Sequence, residues 1–333
     1  MIIVHNESGL GNQMMDWAEY YMIKKLNPEH EVLLENVLFD IDECKETVSM
    51  WNGYELDKIF NLEDNTDNLR NWLGEKDYAS LVNYVRNSRF WLDDWDYPRP
   101  IRKWLSQNLG IKIVNCCRGG LGQRKSFPVR LRKRVKAIFN PLFDVRGVNY
   151  TFPQGNYYCG HSFPLLQLTK NYDNMFRDDI LKIFQFPPIQ STDESNYGLY
   201  QSIVSNLSVG IHIRRGDLLV YNGVYYNNNY FPKAVNYIRH YVEKPLWFVF
   251  SDEFSRQWCV DNYESLGFTK NDEIVFVKGN IGPNSYKDMQ LLSLCKHQII
   301  TNSSFGWWAC YLNQYQDKIT ISPAGTFKTT LGL

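Results

Sequence analysis

The second half of the chain is a regular succession of short apolar runs and stretches with helical spacing. We predict strands at the apolar runs, and helices where apolar residues recur every three or four positions. The predicted strands cover residues 208–213, 246–250, 273–277, 298–301 and 318–321, and the predicted helices cover residues 230–242, 254–263, 286–297 and 304–313. Strands that alternate with helices of this length are typical of βαβ units, so the pattern predicts a parallel, doubly wound sheet. Ligands bind such sheets beyond the carboxyl ends of the strands.

The first half of the chain is less regular. Residues 2–4 form an apolar run that predicts a strand, residues 8–12 form a glycine loop, and residues 14–26 have helical spacing. Two further strands are predicted at 31–34 and 111–114, whereas the polar, tryptophan-rich stretch 40–108 predicts no clear element. The pattern changes near Gly155. We therefore predict an N-terminal domain at residues 1–154 and a C-terminal domain at residues 155–333.

The composition excludes several classes of protein. Of 333 residues 44% are hydrophobic, which is enough for the cores of two domains. Lys and Arg together number 36, as do Asp and Glu, so a net charge of zero argues against a nucleic-acid partner. Seven cysteines without a C-x-x-C pair predict reduced thiols. No signal peptide is recognisable, and no apolar run approaches the roughly 20 residues that span a bilayer, so we expect a cytoplasmic protein.

The first polar cluster follows the predicted strand at 208–213. Strand alternation places His212 and Arg214 on one face, and Arg215 follows directly. Two adjacent arginines are costly to bury without an anion, and a guanidinium matches the oxygens of a diphosphate. The alternative is a surface ion pair with Asp217.

Two more polar clusters follow predicted strands. Ser251 and Asp252 come after the strand at 246–250, where an acid can accept hydrogen bonds from a ribose or a guanine; the alternative is a helix cap. Residues 302–305 begin a predicted helix, whose free N–H groups and positive dipole end form an anion site. Capping is again the alternative. At the N-terminus, residues 9–13 are glycine-rich but match neither G-x-G-x-x-G nor a P-loop, which argues against a dinucleotide or ATP site.

These four motifs together resemble the α-1,2-fucosyltransferases of glycosyltransferase family 11. They occur in the family's order, as GLGNQ at residues 9–13, HIRRGD at 212–217, FSDE at 250–253 and NSSFGWW at 302–308. The resemblance extends from residue 1 to about residue 322 and is closer in the second half. It implies a GT-B fold with two Rossmann-like domains facing across a cleft, GDP-fucose as the donor, inversion at the fucose anomeric carbon, and no metal or other cofactor. The implied acceptor is a galactose-containing oligosaccharide or lipid-linked glycan.

The resemblance also implies roles for individual residues. Arg214 would bind the β-phosphate and stabilise the leaving group. From its position just beyond this arginine in the chain, and not from the resemblance, Asp217 is the candidate general base or a residue that orients the arginines. His212 would hold the nucleoside, and Asn12 would face the donor sugar. The remaining implied donor-binding residues are Ser251, Asp252, Asn302, Ser303, Ser304 and Phe305.

Two other functions and one surface property remain open at this point. A metal-dependent GT-A transferase would use a D-x-D motif, present as Asp40-Ile41-Asp42 and Asp94-Trp95-Asp96. A carbohydrate-binding protein without catalytic activity would use the aromatic residues, which make up 15% of the chain. The basic block at 118–136 is a candidate for peripheral contact with the inner face of a membrane, with a solvated helix face or loop as the alternative.

Overall fold

The chain forms two compact units, Met1–Ile180 and Leu181–Leu333. The computed structural model describes residues 1–47, 52–93, 98–116, 143–144, 147–148, 150–160, 170–216, 219 and 225–323. Each unit is built on a parallel β-sheet packed against α-helices. The predicted α/β class with Rossmann-like units is confirmed.

The described part of the first unit contains strands of two to four residues and helices of 4 to 17 residues. Its described strands are β1 (Ile2–His5), β2 (Val32–Glu35), β3 (Val114–Asn115), β4 (Phe143–Asp144), β5 (Gly147–Val148) and β6 (Tyr157–Cys159). Its helices are α1 (Leu10–Leu26), α2 (Leu56–Phe60), α3 (Leu69–Leu73), α4 (Glu75–Ser88), α5 (Phe90–Asp93), α6 (Pro98–Leu109) and α7 (Lys170–Ile183), the last of which extends into the second unit.

The main sheet of the first unit has the strand order β2-β1-β6-β3, and all of its pairings are parallel. Ile3, Leu33 and Tyr158 pack on one face, in a core to which α4 and α6 also contribute. In the register of β1 and β2, His5 lies opposite Glu35. Two ionisable residues therefore meet at the carboxyl edge of this sheet.

The second unit alternates strands and helices as the hydrophobic pattern predicts. Its strands are β7 (Ser208–Ile213), β8 (Leu246–Ser251), β9 (Glu273–Phe276), β10 (His297–Ile299) and β11 (Thr320–Ile321). Its described α-helices are α8 (Glu194–Ser205), α9 (Tyr230–Tyr241), α10 (Glu253–Asp261), α11 (Tyr286–Leu294) and α12 (Ser304–Leu312). Each strand and helix predicted after residue 208 is confirmed, with shifts of a few residues at the ends.

The sheet of the second unit has the order β11-β10-β7-β8-β9 and is parallel throughout. Helix α9 packs on the face that carries Val209 and Ile211. Gly210 lies on the other face, where a Cβ atom would come within 2.4 Å of the Leu292 side chain of α11. Helices thus cover both faces, which is the doubly wound arrangement.

The division between the units lies after Ile180, whereas the sequence predicts it after residue 154. The difference arises because β6 pairs with both β1 and β3 and so belongs to the first sheet. A strand of only three residues shows too little alternation to be recognised from its sequence.

Candidate functional site

Three adjacent strands of the second sheet bring the predicted donor-binding motifs to one edge. Strand β7 is followed by Arg214, and β8 ends at Ser251. Strand β10 leads through Thr301 and Asn302 into the first turn of α12. Because β7 lies between β8 and β10 and all three run parallel, their carboxyl ends meet at the same edge. Most of the predicted site residues are therefore neighbours in the fold.

His212 is a buried, neutral group at the centre of this edge. Its ring stacks on that of Phe305, with centroids 5.4 Å apart and planes inclined by 26°. Burial, followed by the nearby charge of Arg214, lowers the pKa of His212 to about 3. Its Nδ1 atom has no hydrogen-bond partner among the described residues. A buried imidazole nitrogen of this kind is available to a polar ligand.

The start of α12 has buried hydroxyl groups at the helix N-terminus. Ser303 is the N-cap residue, but its side chain makes no capping hydrogen bond. The hydroxyls of Ser303 and Thr301 are buried and lack partners within the described ranges. The capping alternative for Ser303 is therefore wrong. By contrast, Trp307 and Trp308 are buried core residues.

Asp252 has the capping role that the sequence leaves as its alternative. Its Oδ1 atom accepts hydrogen bonds from the backbone N of Ser255 at 2.9 Å and from the Ser255 hydroxyl at 2.7 Å. Its Oδ2 atom accepts from the backbone N of Arg215 at 3.3 Å. Asp252 thus fixes the segment after β7 to the start of α10. Contact with the nucleoside stays a prediction for this residue.

Arg215 points to an aromatic environment of its own. Its guanidinium carbon lies 3.6 Å from the centroid of the Trp258 ring and 5.4 Å from that of Tyr226. Stacking of this kind anchors the side chain by a cation–π interaction. Arg214 differs, since it is half-buried and affects the pKa of His212.

The structure leaves the roles of several predicted residues untested. Asn302 and Ser304 flank Ser303, and Asn12 lies in α1 of the first unit, where its backbone N donates to the Gly9 carbonyl oxygen at 2.9 Å. Asp217 lies outside the described residues. The functions assigned to these four residues stay predictions.

A second group of buried polar side chains lies at the carboxyl edge of the first sheet, and the sequence analysis misses it. Imidazole His5, carboxylates Glu7 and Glu35, and phenol Tyr158 form hydrogen bonds with one another. A sequence signal does exist, because β1 and β2 each read as three apolar residues followed by an ionisable one.

The acids of the first D-x-D triplet are engaged in local contacts. Tyr78 donates a hydrogen bond to the Asp40 carboxylate at 2.7 Å, and Asp42 forms an ion pair with Lys45. The second triplet and the basic block at 118–136 lie outside the described residues.

The described part of the chain has neither a metal-binding cluster nor a membrane-spanning helix. Among those residues, no group of three or more His, Cys, Asp or Glu side chains is placed to hold a metal ion. Nor do they include a helix that is long and apolar enough to cross a bilayer.

Comparison with known proteins identifies relatives among transferases of bacteria and primates. An alpha-1,2-colitosyltransferase of Escherichia coli is 35% identical over 127 residues, which cover 36% of this chain and 41% of that protein. The O-antigen biosynthesis glycosyltransferase WbnK of Escherichia coli is 25% identical over 327 residues, or 96% of this chain and 92% of WbnK. The galactoside alpha-(1,2)-fucosyltransferase 2 of Pongo pygmaeus is 34% identical over 109 residues, or 31% of this chain and 30% of the primate protein. The matches to the first and third of these proteins thus span less than half of their lengths.

The chain also resembles a solved structure and matches a family model. The NodZ alpha-1,6-fucosyltransferase soaked with GDP-fucose aligns over 93% of this chain and 91% of its own, with 11% identity and a TM-score of 0.45. The model described as Glycosyl transferase family 11 matches residues 148–329, which is more than half of the chain and includes all five strands of the second sheet. This chain belongs to glycosyltransferase family 11.

Proposed function

We propose that the protein transfers fucose from GDP-fucose to a sugar hydroxyl, with inversion at the anomeric carbon and without a metal ion. The observation that carries the proposal is the edge formed by β10, β7 and β8. There a neutral buried histidine, an arginine and a helix N-terminus with buried hydroxyl groups lie together. These are the groups expected around a nucleoside diphosphate.

The finer proposal concerns the acceptor and the linkage. The proposed acceptor is a galactose-containing oligosaccharide or lipid-linked glycan, joined through an α-1,2 bond. Relatives named as galactoside alpha-(1,2)-fucosyltransferases support the galactoside and the α-1,2 bond. Because one relative is named as a colitosyltransferase, the identity of the donor sugar must be tested as well. The proposed donor is GDP-fucose, and a GDP-sugar with colitose in place of fucose is the competitor to be tested.

The proposed reaction is a single displacement at fucose C1. The acceptor oxygen forms a bond to C1 and loses its proton to a base, for which Asp217 is the candidate. The bond between C1 and the β-phosphate oxygen breaks, and GDP leaves with the electron pair. Arg214 and the N–H groups at the start of α12 stabilise the charge that develops on the leaving oxygen. His212 contributes a neutral hydrogen-bonding group, since its depressed pKa keeps it uncharged at neutral pH.

The proposed function is tested by radiolabelled transfer from GDP-fucose to a panel of galactosides, followed by mapping of the linkage. Arg214→Ala should lower kcat as well as donor affinity, with a loss in kcat of about 10²–10³-fold. Arg214→Lys should recover little, because a point charge cannot replace a bidentate guanidinium.

Arg215→Ala is the matched control for this experiment. Since Arg215 stacks on Trp258, its loss should lower the melting temperature and leave most of the turnover per folded molecule. A folded Arg214→Ala variant with the wild-type kcat/KM for GDP-fucose would refute the proposed donor site.

A further inference from the structure

The outer surface of helix α6 carries positive charge that the proposed donor site does not use. Ile101, Trp104 and Leu105, spaced by three positions and by one, are buried in the core of the first unit. On the remaining surface of the helix, Arg102 is half-buried and Lys103 is exposed. The helix contains three cationic residues and no acid, so its outer surface is basic.

This basic surface lines a pocket. The pocket has a volume of about 340 Å³ and lies between α6 and residues 112–113, which precede β3. Its basic lining includes Arg102, Lys103 and Lys112, and Ser106 adds a hydroxyl group. None of the described residues that line it is acidic. Cationic side chains around one concave surface repel one another, so the pocket favours an anion.

Arg102 is held at the pocket by one hydrogen bond. Its Nε atom donates to the carbonyl oxygen of Ile113 at 2.8 Å, which ties α6 to the segment before β3. Its other N–H groups have no partner among the described residues. A guanidinium that is fixed at one nitrogen and has further N–H donors matches the oxygens of a phosphate. The pocket thus contains a preorganised phosphate-binding group.

The two lysines of the pocket are available to a ligand. Both Lys103 and Lys112 are exposed, and neither side chain forms an ion pair or a hydrogen bond with a residue that the structure describes. Other lysines of the chain differ, since Lys24, Lys45 and Lys287 are paired with acids. Two ammonium groups of this kind beside a fixed guanidinium can compensate the charge of phosphate groups.

The sequence around the pocket is basic over a long range. Residues 97–143 contain twelve Lys or Arg residues and no Asp or Glu, although the whole chain has 36 basic and 36 acidic residues. Eight of the twelve form the block at 118–136, and the other four lie between residues 99 and 112, where the pocket is. Such separation of charge within a neutral chain is typical of a segment that contacts a polyanionic surface.

Exposed aliphatic side chains lie close in sequence to these basic residues. Leu109, the last residue of α6, is 38% exposed, and Val114 of β3 is 49% exposed. Val114 and Lys112 stand on either side of buried Ile113, so strand alternation directs both of them away from the core. A soluble phosphate does not contact aliphatic neighbours, whereas a bilayer surface binds cations at its headgroups and aliphatic side chains at the boundary below them. The aliphatic residues therefore favour a membrane surface over a soluble anion.

We propose that the pocket between α6 and β3 binds the phosphate groups of anionic membrane lipids. Arg102 binds one phosphate through its guanidinium, and Lys103 and Lys112 neutralise the neighbouring headgroups. Leu109 and Val114 contact the apolar boundary beside them. The inference goes beyond the proposed transfer reaction and does not depend on it, because binding to vesicles is measured without turnover.

The test is co-sedimentation of the full chain with vesicles of equal parts phosphatidylglycerol and phosphatidylcholine, compared with vesicles of phosphatidylcholine alone. The wild type should bind only the anionic vesicles, and added salt should weaken the binding. The double variant Lys103→Gln/Lys112→Gln should lower the partition coefficient about 10- to 30-fold, since each lysine near such a surface contributes about a factor of five. Equal binding of the wild type to both kinds of vesicle, or binding to neither, would overturn the proposal.

Two variants separate a phosphate pocket from charge spread over the whole protein. The control Lys58→Gln/Lys233→Gln removes the same charge from exposed lysines that do not line the pocket, and it should change the partition coefficient by less than about twofold. Arg102→Lys keeps the charge but loses the planar fork, so it should lower the coefficient about 3- to 10-fold. If both double variants bind equally, or if folded Arg102→Lys binds like the wild type, the pocket has no particular role and the proposal is wrong.

Leu109→Ser and inorganic pyrophosphate distinguish a membrane surface from a soluble phosphate. Leu109→Ser should lower the partition coefficient about 2- to 5-fold, because part of the leucine surface no longer leaves water at the bilayer. The variant should leave the affinity for pyrophosphate unchanged in calorimetry. Pyrophosphate binding that Lys103→Gln/Lys112→Gln loses, without binding of the wild type to anionic vesicles, would assign the pocket to a soluble phosphate and overturn the proposal. A Leu109→Ser variant that partitions like the wild type would likewise contradict the membrane contact.

Discussion

Substitution of Gly306 by alanine tests the packing on which the candidate donor site depends. Gly306 lies in the first turn of α12, directly against His212. A Cβ atom at this position would be 2.7 Å from His212 Nδ1 and 3.2 Å from Cβ of Ile300. Favourable carbon contacts begin near 3.5 Å, so α12 and His212 would have to separate by about 0.8 Å.

The expected loss of stability follows from two opposing terms. Overpacking of a buried site costs about 1–3 kcal/mol. Replacement of a helical glycine by alanine recovers about 0.5–1 kcal/mol. Gly306→Ala should therefore lower the free energy of unfolding by about 0–2.5 kcal/mol. Displacement of His212 removes roughly one hydrogen bond to the ligand, so GDP affinity should fall about 2- to 10-fold.

Gly198 provides the matched control for this substitution. It lies inside α8, and no atom is within 4 Å of the position that its Cβ would occupy. Gly198→Ala should raise stability by about 0.4–1 kcal/mol and leave GDP binding unchanged. Urea denaturation and GDP calorimetry on both variants give the comparison. If Gly306→Ala is as stable as Gly198→Ala and binds GDP like wild type, the described contact between α12 and His212 is wrong.

Two further predictions concern metal ions and pH. Transfer activity should persist in excess EDTA, because Arg214 and the N-terminus of α12 are the proposed stabilisers of the leaving group. A loss of activity that manganese restores would instead favour the metal-dependent D-x-D hypothesis. The free energy of unfolding should decrease as the pH rises from 6.5 towards 10, by up to about 1.4 kcal/mol per pH unit. The reason is that the pKa of His5 is raised in the folded state, so protonated His5 stabilises the fold fully only below the pKa that it has in the unfolded chain. Urea denaturation between pH 6.5 and 8.5 measures this slope, which should be shallower in His5→Gln; equal slopes would contradict an imidazolium at His5.

The second unit could be predicted from the sequence because its signals are local. Strands β7 and β8 are six-residue runs that pair along their whole lengths, and helices of ordinary length follow them. The three polar motifs come directly after strands, so the general rule for parallel sheets places them at one edge. The sequence alone does not decide whether Ser303 and Asp252 cap their helices or bind a ligand, since Ser and Asp are both good capping residues. Only the geometry separates them, because Asp252 makes the capping bond and Ser303 does not.

The first unit was predicted only in part. Strands β1 and β2 and helix α1 match the runs predicted at 2–4, 31–34 and 14–26, but the contacts that organise the sheet are remote in sequence. His5 and Glu35 are 30 residues apart, and Tyr158 and His5 are 153 residues apart. Helices α4 and α6 bury only part of their surfaces, and in a polar stretch their helical spacing is difficult to recognise. No property of the three-residue run at β6 reveals that it lies beside β1.

The two sheet edges differ in the charge of the side chains that they carry. The edge of the second unit has Arg214, a neutral His212 and a helix N-terminus, which together favour an anion such as a diphosphate. The edge of the first unit has two carboxylates for one imidazolium, and such a surface disfavours a diphosphate. A neutral sugar does not pay this electrostatic penalty, and its hydroxyl groups are hydrogen-bond donors that a carboxylate accepts. This difference in charge supports the proposed placement of the anionic donor at the edge of the second unit.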